Sequence, residues 1–312
     1  MTRTRALGTG LAGLLLVTAA VAGCGSAPPN AAGASPAVAN LAQQIDQSAA
    51  VAAGPVGKNL PDTPTLQRIR QRGTLVFAGS RASLGFSELD PTDNKVSGFD
   101  EGIAELLAKY LLGKPSVQLS PADSDVRESL LANHTVDVAI ETYTITPARA
   151  ALVNFAGPYY VAANGIIVKN TDNDITEVGD LAGKKVATES GAAKDALLAA
   201  VPTAQPVLFD STAECVTAVE QGRVDAASLN NALLLGSVAT RTDLKLLPAT
   251  YGTNPFGIGL PKDDPAFKQV VNQFLRTIYA DGVWTTLWQD TVGKLLKTAA
   301  PKPPAIGSVP GS

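Results

Sequence analysis

Two threonines and an arginine lie in one short segment whose residue types suit the binding of a carboxylate. Thr142 and Thr144 precede Pro147, and Arg149 follows it. Proline favours the first turn of a helix, so Arg149 is expected near the N-terminal end of one. Hydroxyl and backbone donors beside a guanidinium can hold a carboxylate through charge-assisted hydrogen bonds, each worth about 1.5–3 kcal/mol when water is excluded. The residues alone leave open whether Arg149 binds a ligand or forms a surface ion pair.

Groups for covalent or metal chemistry are scarce. One histidine and two cysteines among 312 residues leave little for a zinc site or a Ser-His-Asp triad. Glu141 and Glu189 are a carboxylate pair that could do acid–base chemistry, but nothing in the sequence brings them together. We therefore expect no enzyme activity, no metal and no cofactor. The formal net charge of −3 also argues against a nucleic-acid partner.

The elements that must position these residues alternate along the chain. The pattern predicts strands over residues 75–78, 137–140, 166–169, 185–188, 225–229 and 256–260. It predicts helices over residues 65–72, 102–112, 126–132, 194–200, 213–221 and 265–280. This alternation indicates an α/β fold with mainly parallel sheets. Ligands of such sheets bind beyond the carboxyl ends of the strands, where residues 142–149 are expected.

The N-terminus resembles an export and lipidation signal. Arg3 and Arg5 precede an apolar stretch over residues 7–22, and small residues then precede Cys24. The similarity to a bacterial lipobox implies a signal peptide over residues 1–24, with lipidation of Cys24 on the extracytoplasmic face of the cell membrane. The alternative is a transmembrane anchor. Residues 25–64 are predicted to be a flexible tether, and residues 301–312 a disordered tail, from their composition.

Seven segments together resemble the solute-binding proteins of amino-acid ABC importers, family three, and most of all the actinobacterial glutamate/glutamine-binding lipoproteins. The segments, in the expected order, are residues 72–75, 98–100, 136–139, 142–160, 181–186, 224–227 and 255–262. The resemblance covers residues 66–288.

The resemblance implies a two-lobed, type II periplasmic-binding-protein-like fold with two mixed sheets joined by two hinge strands. Lobe one would comprise residues 65–164 and 251–300, and lobe two residues 165–250. The chain would cross between lobes near residues 161–165 and 251–254. Arg149 would pair the ligand's α-carboxylate, assisted by Thr144 and the Thr142 main chain, with Tyr143 as a further contact. The expected partners are an amino acid such as glutamate or glutamine and an ABC permease, with the binding protein a monomer.

The second lobe departs from the family pattern. Asn230 stands where relatives carry an aspartate that receives the ligand's α-ammonium, and an amide supplies no countercharge. The loop over residues 190–193 lacks the expected threonine hydroxyl. Ser83 and Ser124 align with aromatic residues that clamp the ligand in many relatives.

Two explanations remain open for this departure. Glu189 could replace the missing anion; alternatively, the ligand could be a carboxylate without an ammonium group, or binding could be weak and the protein a sensor or orphan. Three cations, Arg127, Arg81 and Lys194, could each meet a second carboxylate or be solvated surface charges. Arg127 ranks first, because its D-V-R-E setting is similar to a segment of glutamate-binding relatives. Cys215 is expected to be a buried, unpaired thiol.

Overall fold

The computed structural model describes residues 43–238, 241–297 and 299–312. The helices are α1 (Ser48–Ala53), α2 (Pro64–Arg72), α3 (Phe99–Leu112), α4 (Arg127–Ala132), α5 (Pro147–Leu152), α6 (Ala192–Ala200), α7 (Thr212–Glu220), α8 (Asn231–Val238), α9 (Pro265–Ala280), α10 (Val283–Asp290) and α11 (Val292–Leu296). The strands are β1 (Leu75–Gly79), β2 (Ala82–Ser83), β3 (Ser87–Leu89), β4 (Val96–Ser97), β5 (Val117–Pro121), β6 (Val138–Ala139), β7 (Asn154–Lys169), β8 (Lys185–Glu189), β9 (Gln205–Phe209), β10 (Ala226–Asn230), β11 (Leu244–Leu246) and β12 (Tyr251–Leu260). Val178–Leu181 forms a 3₁₀ turn.

Most strands form one mixed sheet in the order β5-β1-β6-β12-β7-β10-β8-β9, with β11 paired to β7. At one end β1 lies parallel to β5 and β6, and at the other β8 lies parallel to β9 and β10. The long strands β7 and β12 pair antiparallel between these two groups. The predicted pair of mixed sheets is therefore one hydrogen-bonded sheet whose halves are joined through β7 and β12. A small sheet of β2, β3 and β4 lies beside it.

The hydrophobic core divides along the two long strands. One set of clusters draws on residues up to Ala162 and from Phe256 onward, and it contains most of the aromatic side chains. The other set lies between Ile166 and Leu247. We refer to these as the first and second halves. Between them the chain passes once along β7 and once along β12.

The N-terminal segment is more ordered than its composition predicted. Residues 25–64 were expected to be a tether, but from residue 43 onward the chain packs on the first half. Ile45, Ala50 and Val51 are buried, and α1 contacts α3 and α10. A segment too poor in apolar residues to fold alone can still bury a few of them on a preformed surface. The signal peptide, Cys24 and residues 25–42 lie outside the described residues.

The C-terminal residues also differ from the prediction of a disordered tail. The Gly307 N–H donates to the Gly157 carbonyl (2.8 Å), and Ile306 and Val309 pack against the core of the first half. This Pro- and Gly-rich stretch therefore contacts the first half through two apolar side chains and a backbone hydrogen bond. Within the ranges described, no helix combines the length and apolarity needed to cross a membrane.

Candidate ligand-binding site

A cavity of about 470 Å³, a volume that includes open solvent, lies between the two halves of the sheet. The predicted site residues that line it are Arg127, Thr142, Thr144, Arg149, Glu189 and Asn230. Arg127 and residues 142–149, which we call the carboxylate loop, come from the first half. Glu189 and Asn230 come from the second half. The cavity is therefore formed where β6, β8 and β10 end, as expected for an open α/β sheet.

The loop after β6 is held from behind by a buried carboxylate. The Thr142 N–H donates to Asp100 Oδ2 (2.8 Å), and the Tyr159 hydroxyl donates to Asp100 Oδ1 (2.8 Å). Burial raises the Asp100 pKa to about 6, although both hydrogen bonds lower it. Thr142 has a φ of +43°, which is unusual for a β-branched residue. The Thr142 main chain was predicted to assist Arg149; its N–H is already donated to Asp100, and Thr142 lines the cavity.

Arg149 is oriented by contacts on one side of its guanidinium. It lies in α5, where Pro147 is the first residue and Thr146 Oγ1 caps the Arg149 N–H at 3.2 Å. Nη1 donates to the Thr144 carbonyl (3.1 Å), and Nε lies 3.4 Å from Glu128 Oε1. Burial, followed by the nearby Arg127, lowers the Arg149 pKa.

The other terminal nitrogen of Arg149 faces the second half of the protein. A Cβ built on Gly191 would lie 3.5 Å from Arg149 Nη2, so Nη2 lies opposite the start of α6. Nη2 makes no hydrogen bond to the residues that the structure describes. An arginine held rigidly by Nε and Nη1, with Nη2 directed across a cavity, is well suited to bind an anion there.

The ring of Tyr143 contacts the guanidinium groups of both Arg149 and Arg127. Its ring is fully buried, with the Arg149 guanidinium 4.9 Å and the Arg127 guanidinium 5.3 Å from the ring centre. Its hydroxyl donates to Glu128 Oε1 (2.7 Å), and burial raises its pKa. Tyr143 was predicted as a ligand contact, but it is not among the residues that line the cavity. It positions both arginines through cation–π contacts instead.

Arg127 has a partner within the protein. Its Nε lies 2.9 Å from Glu141 Oε2, and its Nη2 donates to Ser124 Oγ (3.3 Å). Burial raises the Glu141 pKa to about 7, although Arg127 lowers it. The sequence analysis considered Glu141 only as an acid–base partner of Glu189. In the structure Glu141 compensates the buried charge of Arg127.

Glu189 is the acidic side chain at the cavity. It ends β8, and its two oxygens accept hydrogen bonds from hydroxyls that belong to different halves of the protein. Thr212 of the second half donates to Oε1 (2.9 Å), and Ser124 of the first half donates to Oε2 (3.1 Å). The sequence analysis missed Thr212, and no motif pointed to it.

Asparagines from three strands meet where β7 and β12 pass between the halves. Asn230, at the end of β10, lies directly opposite Asn164 of β7 in the antiparallel pair. The Asn254 amide donates to Asn164 Oδ1 (2.8 Å). All three line the cavity. The sequence analysis named Asn230 but missed Asn164 and Asn254, although both fall within the predicted crossings.

The remaining candidate cations lie elsewhere. Arg81 is exposed, and Lys194 pairs with its neighbour Asp195 at 3.8 Å. Neither lines the cavity. Cys215 is a buried free thiol whose pKa is raised by burial. The described residues contain no group of histidine, cysteine, aspartate and glutamate side chains that could hold a metal ion.

A cavity between two sheet halves, linked by two strands and lined by an oriented arginine, defines a solute-binding protein of the type II periplasmic class. Residues 76–293 match the family of bacterial extracellular solute-binding proteins, family 3. The match covers more than half of the chain, which therefore belongs to that family.

The relatives are named for the amino acids that they bind. A glutamine-binding protein of Geobacillus stearothermophilus is 35% identical over 64% of this chain and 78% of its own length. A glutamate-binding protein of Corynebacterium glutamicum is 30% identical over 65% of this chain and 73% of its own length. A solved structure, an ancestral amino-acid-binding protein described as a precursor of cyclohexadienyl dehydratase, is similar with a TM-score of 0.67 and 29% identity, covering 73% of this chain and 99% of that one.

Proposed function

We propose that this chain is the lipid-anchored, extracytoplasmic receptor of an ABC importer and that it captures a polar or acidic amino acid of the glutamate or glutamine type. The orientation of Arg149 is the single observation that carries this proposal. Nε and Nη1 are engaged with Glu128 and Thr144, and Nη2 is directed across the cavity toward Gly191. An α-carboxylate there would gain a charge-assisted hydrogen bond from Nη2.

Glu189 is proposed to receive the α-ammonium in place of the aspartate that Asn230 replaces. Both of its oxygens already accept a hydroxyl hydrogen, so the carboxylate is held in position before the ligand arrives. Each oxygen retains further acceptor capacity, because an ionised carboxylate has about four lone-pair sites. The ligand would then bridge the two halves, with its carboxylate on the first and its ammonium on the second.

Ligand binding is proposed to favour a closed arrangement of the two halves. The chain crosses between them along β7 and β12, and rotation about these two strands would open or close the cavity. A ligand that contacts both halves binds the closed form more tightly and shifts the population toward it. That closed form would dock on the permease, the partner that the family resemblance implies.

One observation favours a second candidate function. Asn230 leaves the position of the usual ammonium partner without charge, and a carboxylate ligand that has no amine would need no anion there. In that case the chain would be a sensor or receptor for an organic acid, and Glu189 would serve to join the halves.

Thermal unfolding of residues 25–312 with amino acids and organic acids tests the choice. A ligand present at 100 times its dissociation constant should stabilise the protein by about 2.7 kcal/mol. Stabilisation by amino acids supports the first proposal. Stabilisation by amine-free carboxylates alone overturns it in favour of the second.

The lipid anchor is tested separately in cells. The wild-type chain is expected in the membrane fraction with acyl chains on Cys24, each contributing about 0.8 kcal/mol per buried CH₂, and a Cys24→Ala variant is expected to incorporate no labelled fatty acid. Mass spectrometry of the mature N-terminal peptide should show acylated Cys24. An unmodified Cys24 within an uncleaved N-terminus would contradict this proposal.

A further inference from the structure

The wall of the cavity at the crossing strands is formed by neutral amides. Asn164 and Asn254, on β7 and β12, are 1% and 5% exposed, and both line the cavity. Asn230 lies opposite Asn164 across the β7–β10 pair, and directly opposite residues of an antiparallel pair project to the same face. We call Asn164, Asn230 and Asn254 the asparagine cluster.

The hydrogen bonding between Asn164 and Asn254 is incomplete. The Asn254 Nδ2 donates to Asn164 Oδ1 (2.8 Å), while Asn164 Nδ2 is buried and has no acceptor among the described residues. Buried amide donors in proteins are almost always hydrogen-bonded. Asn164 lines the cavity, so a ligand is one source of the acceptor that this donor lacks.

The two arginines that line the cavity already have acidic partners, whereas the asparagine cluster itself carries no charge. Arg127 is paired with Glu141, and Arg149 is held by Glu128 beside the carboxylate loop. A carboxylate brought against the asparagine cluster would lose its hydration without gaining a cation there, which is costly. A carboxamide is neutral, and it offers both an acceptor for the Asn164 amide and donors for a carbonyl oxygen.

We propose that the asparagine cluster binds the side-chain carboxamide of the ligand, so that the site selects a glutamine-type amino acid over the corresponding acid. This inference rests on the proposed function, in which Arg149 holds the α-carboxylate of an amino acid. Selection then comes from the polar group at the far end of the ligand. A site with buried hydrogen-bonding groups rejects analogues that leave those groups unpaired.

Titration calorimetry at pH 7 with L-glutamine, L-asparagine, L-glutamate, L-aspartate and L-norvaline tests the inference on the wild-type protein. We expect one carboxamide to bind at least about tenfold more tightly than its matched acid. Equal or tighter binding of the acid overturns the inference. Failure of all five amino acids to bind would instead overturn the proposed function, so the two failures are distinguishable.

Asn164→Asp isolates the amide donor. The substitution keeps the size of the side chain and the acceptor for Asn254, but it replaces the Asn164 N–H donors with a carboxylate oxygen. Affinity for the carboxamide should fall about 10- to 100-fold, and the preference for the carboxamide over the acid should shrink.

Asn272→Asp is the matched control. Asn272 is also buried, and its Oδ1 accepts the Gly157 N–H (2.9 Å) outside the cavity, which an aspartate would still do. Its affinity for the carboxamide should stay within about twofold of the wild type. An unchanged carboxamide-to-acid ratio in Asn164→Asp, with a folded protein by circular dichroism, overturns the inference.

Discussion

Ser124 of the first half donates a hydrogen bond to Glu189 of the second half across the cavity, with 3.1 Å between the oxygens. Ser124 also accepts from Arg127 Nη2 at 3.3 Å, so the hydroxyl joins a buried cation to the carboxylate. Thr212 holds the other oxygen of Glu189. The acidic group at the cavity is therefore held by hydroxyls from both halves, and it is available to compensate a ligand's positive charge.

Glu189→Gln should weaken the binding of an amino acid by about 2–5 kcal/mol, because the ligand's ammonium would lose its only proposed countercharge in a buried site. Calorimetry with L-glutamine and with its amine-free analogue, glutaramic acid, measures the effect. The analogue has no ammonium and should lose much less affinity. An exposed glutamate in α7 provides the control, and Glu214→Gln should leave both affinities unchanged. Equal losses for the two ligands would show that Glu189 does not pair the ammonium.

Arg149→Ala should cost about 2–5 kcal/mol of binding free energy, since the substitution leaves a buried ligand carboxylate without its cation. Isothermal titration of the amino acid that gives the largest thermal shift is the measurement. Arg81→Ala removes an exposed cation that does not line the cavity, and it should bind as the wild type does. If Arg149→Ala folds normally and keeps its affinity, the assignment of Arg149 is wrong.

Glu101→Gln should make the stability less dependent on pH. Glu101 is 5% exposed, and burial, followed by Glu105 and Asp100, raises its pKa to about 8 from an ordinary value of 4.5. Between these pH values the folded protein retains a proton that the unfolded chain releases. The contribution of Glu101 to stability is therefore complete below about pH 4.5 and is lost as the pH rises toward 8.

Denaturant unfolding at pH 5 and pH 8 measures this dependence. The wild type should lose at most about 1.4 kcal/mol per pH unit through Glu101 over that range, and the glutamine variant should lose less. A slope from Glu88 will persist in the variant, because burial also raises the pKa of Glu88 to about 8. Glu214→Gln is the exposed control and should keep the wild-type slope. Identical slopes for the wild type and Glu101→Gln would contradict the prediction.

Val51→Ala tests whether the N-terminal segment is part of the folded protein. Val51 is 6% exposed, whereas Val56 is 50% exposed and provides a matched control. Loss of two buried methyl groups should destabilise the protein by about 2 kcal/mol. Val56→Ala should lower the free energy of unfolding by only a small fraction of that value. Denaturant unfolding gives both values. Equal stabilities for the two variants would show that residues 43–53 do not contribute to folding.

Local patterns in the sequence predicted the elements that present the site. Pro147 begins α5, and the predicted helix over residues 265–280 has the observed bounds of α9. The predicted strand over residues 166–169 is only the last part of β7, which spans 16 residues. Alternating apolar runs indicate where a strand exists, but Ala-, Gly- and Asn-containing hinge residues carry no such signal.

Local sequence patterns could not predict which residues far apart in the chain are in contact. The sequence left open whether Arg127 meets a second ligand carboxylate or is a solvated surface charge, and it did not indicate that Arg127 is buried against Glu141. Asn164 and Asn254 are 90 residues apart, and only the pairing of β7 with β12 brings their amides together. The order of residues along the chain does not encode which side chains meet across a sheet, since that depends on strand register and on packing.

By itself, the sequence determined the α/β alternation, the membership of a binding-protein family and the arginine that faces the cavity, because helix caps, apolar periodicity and short motifs act over a few residues. Only the tertiary structure decided that Asp100 accepts the Thr142 N–H, that Ser124 bridges Arg127 and Glu189, and that an unpaired amide lies at the crossing strands. These features depend on groups from separate elements being buried together. Each buried donor there is either hydrogen-bonded within the protein or left for a ligand to pair.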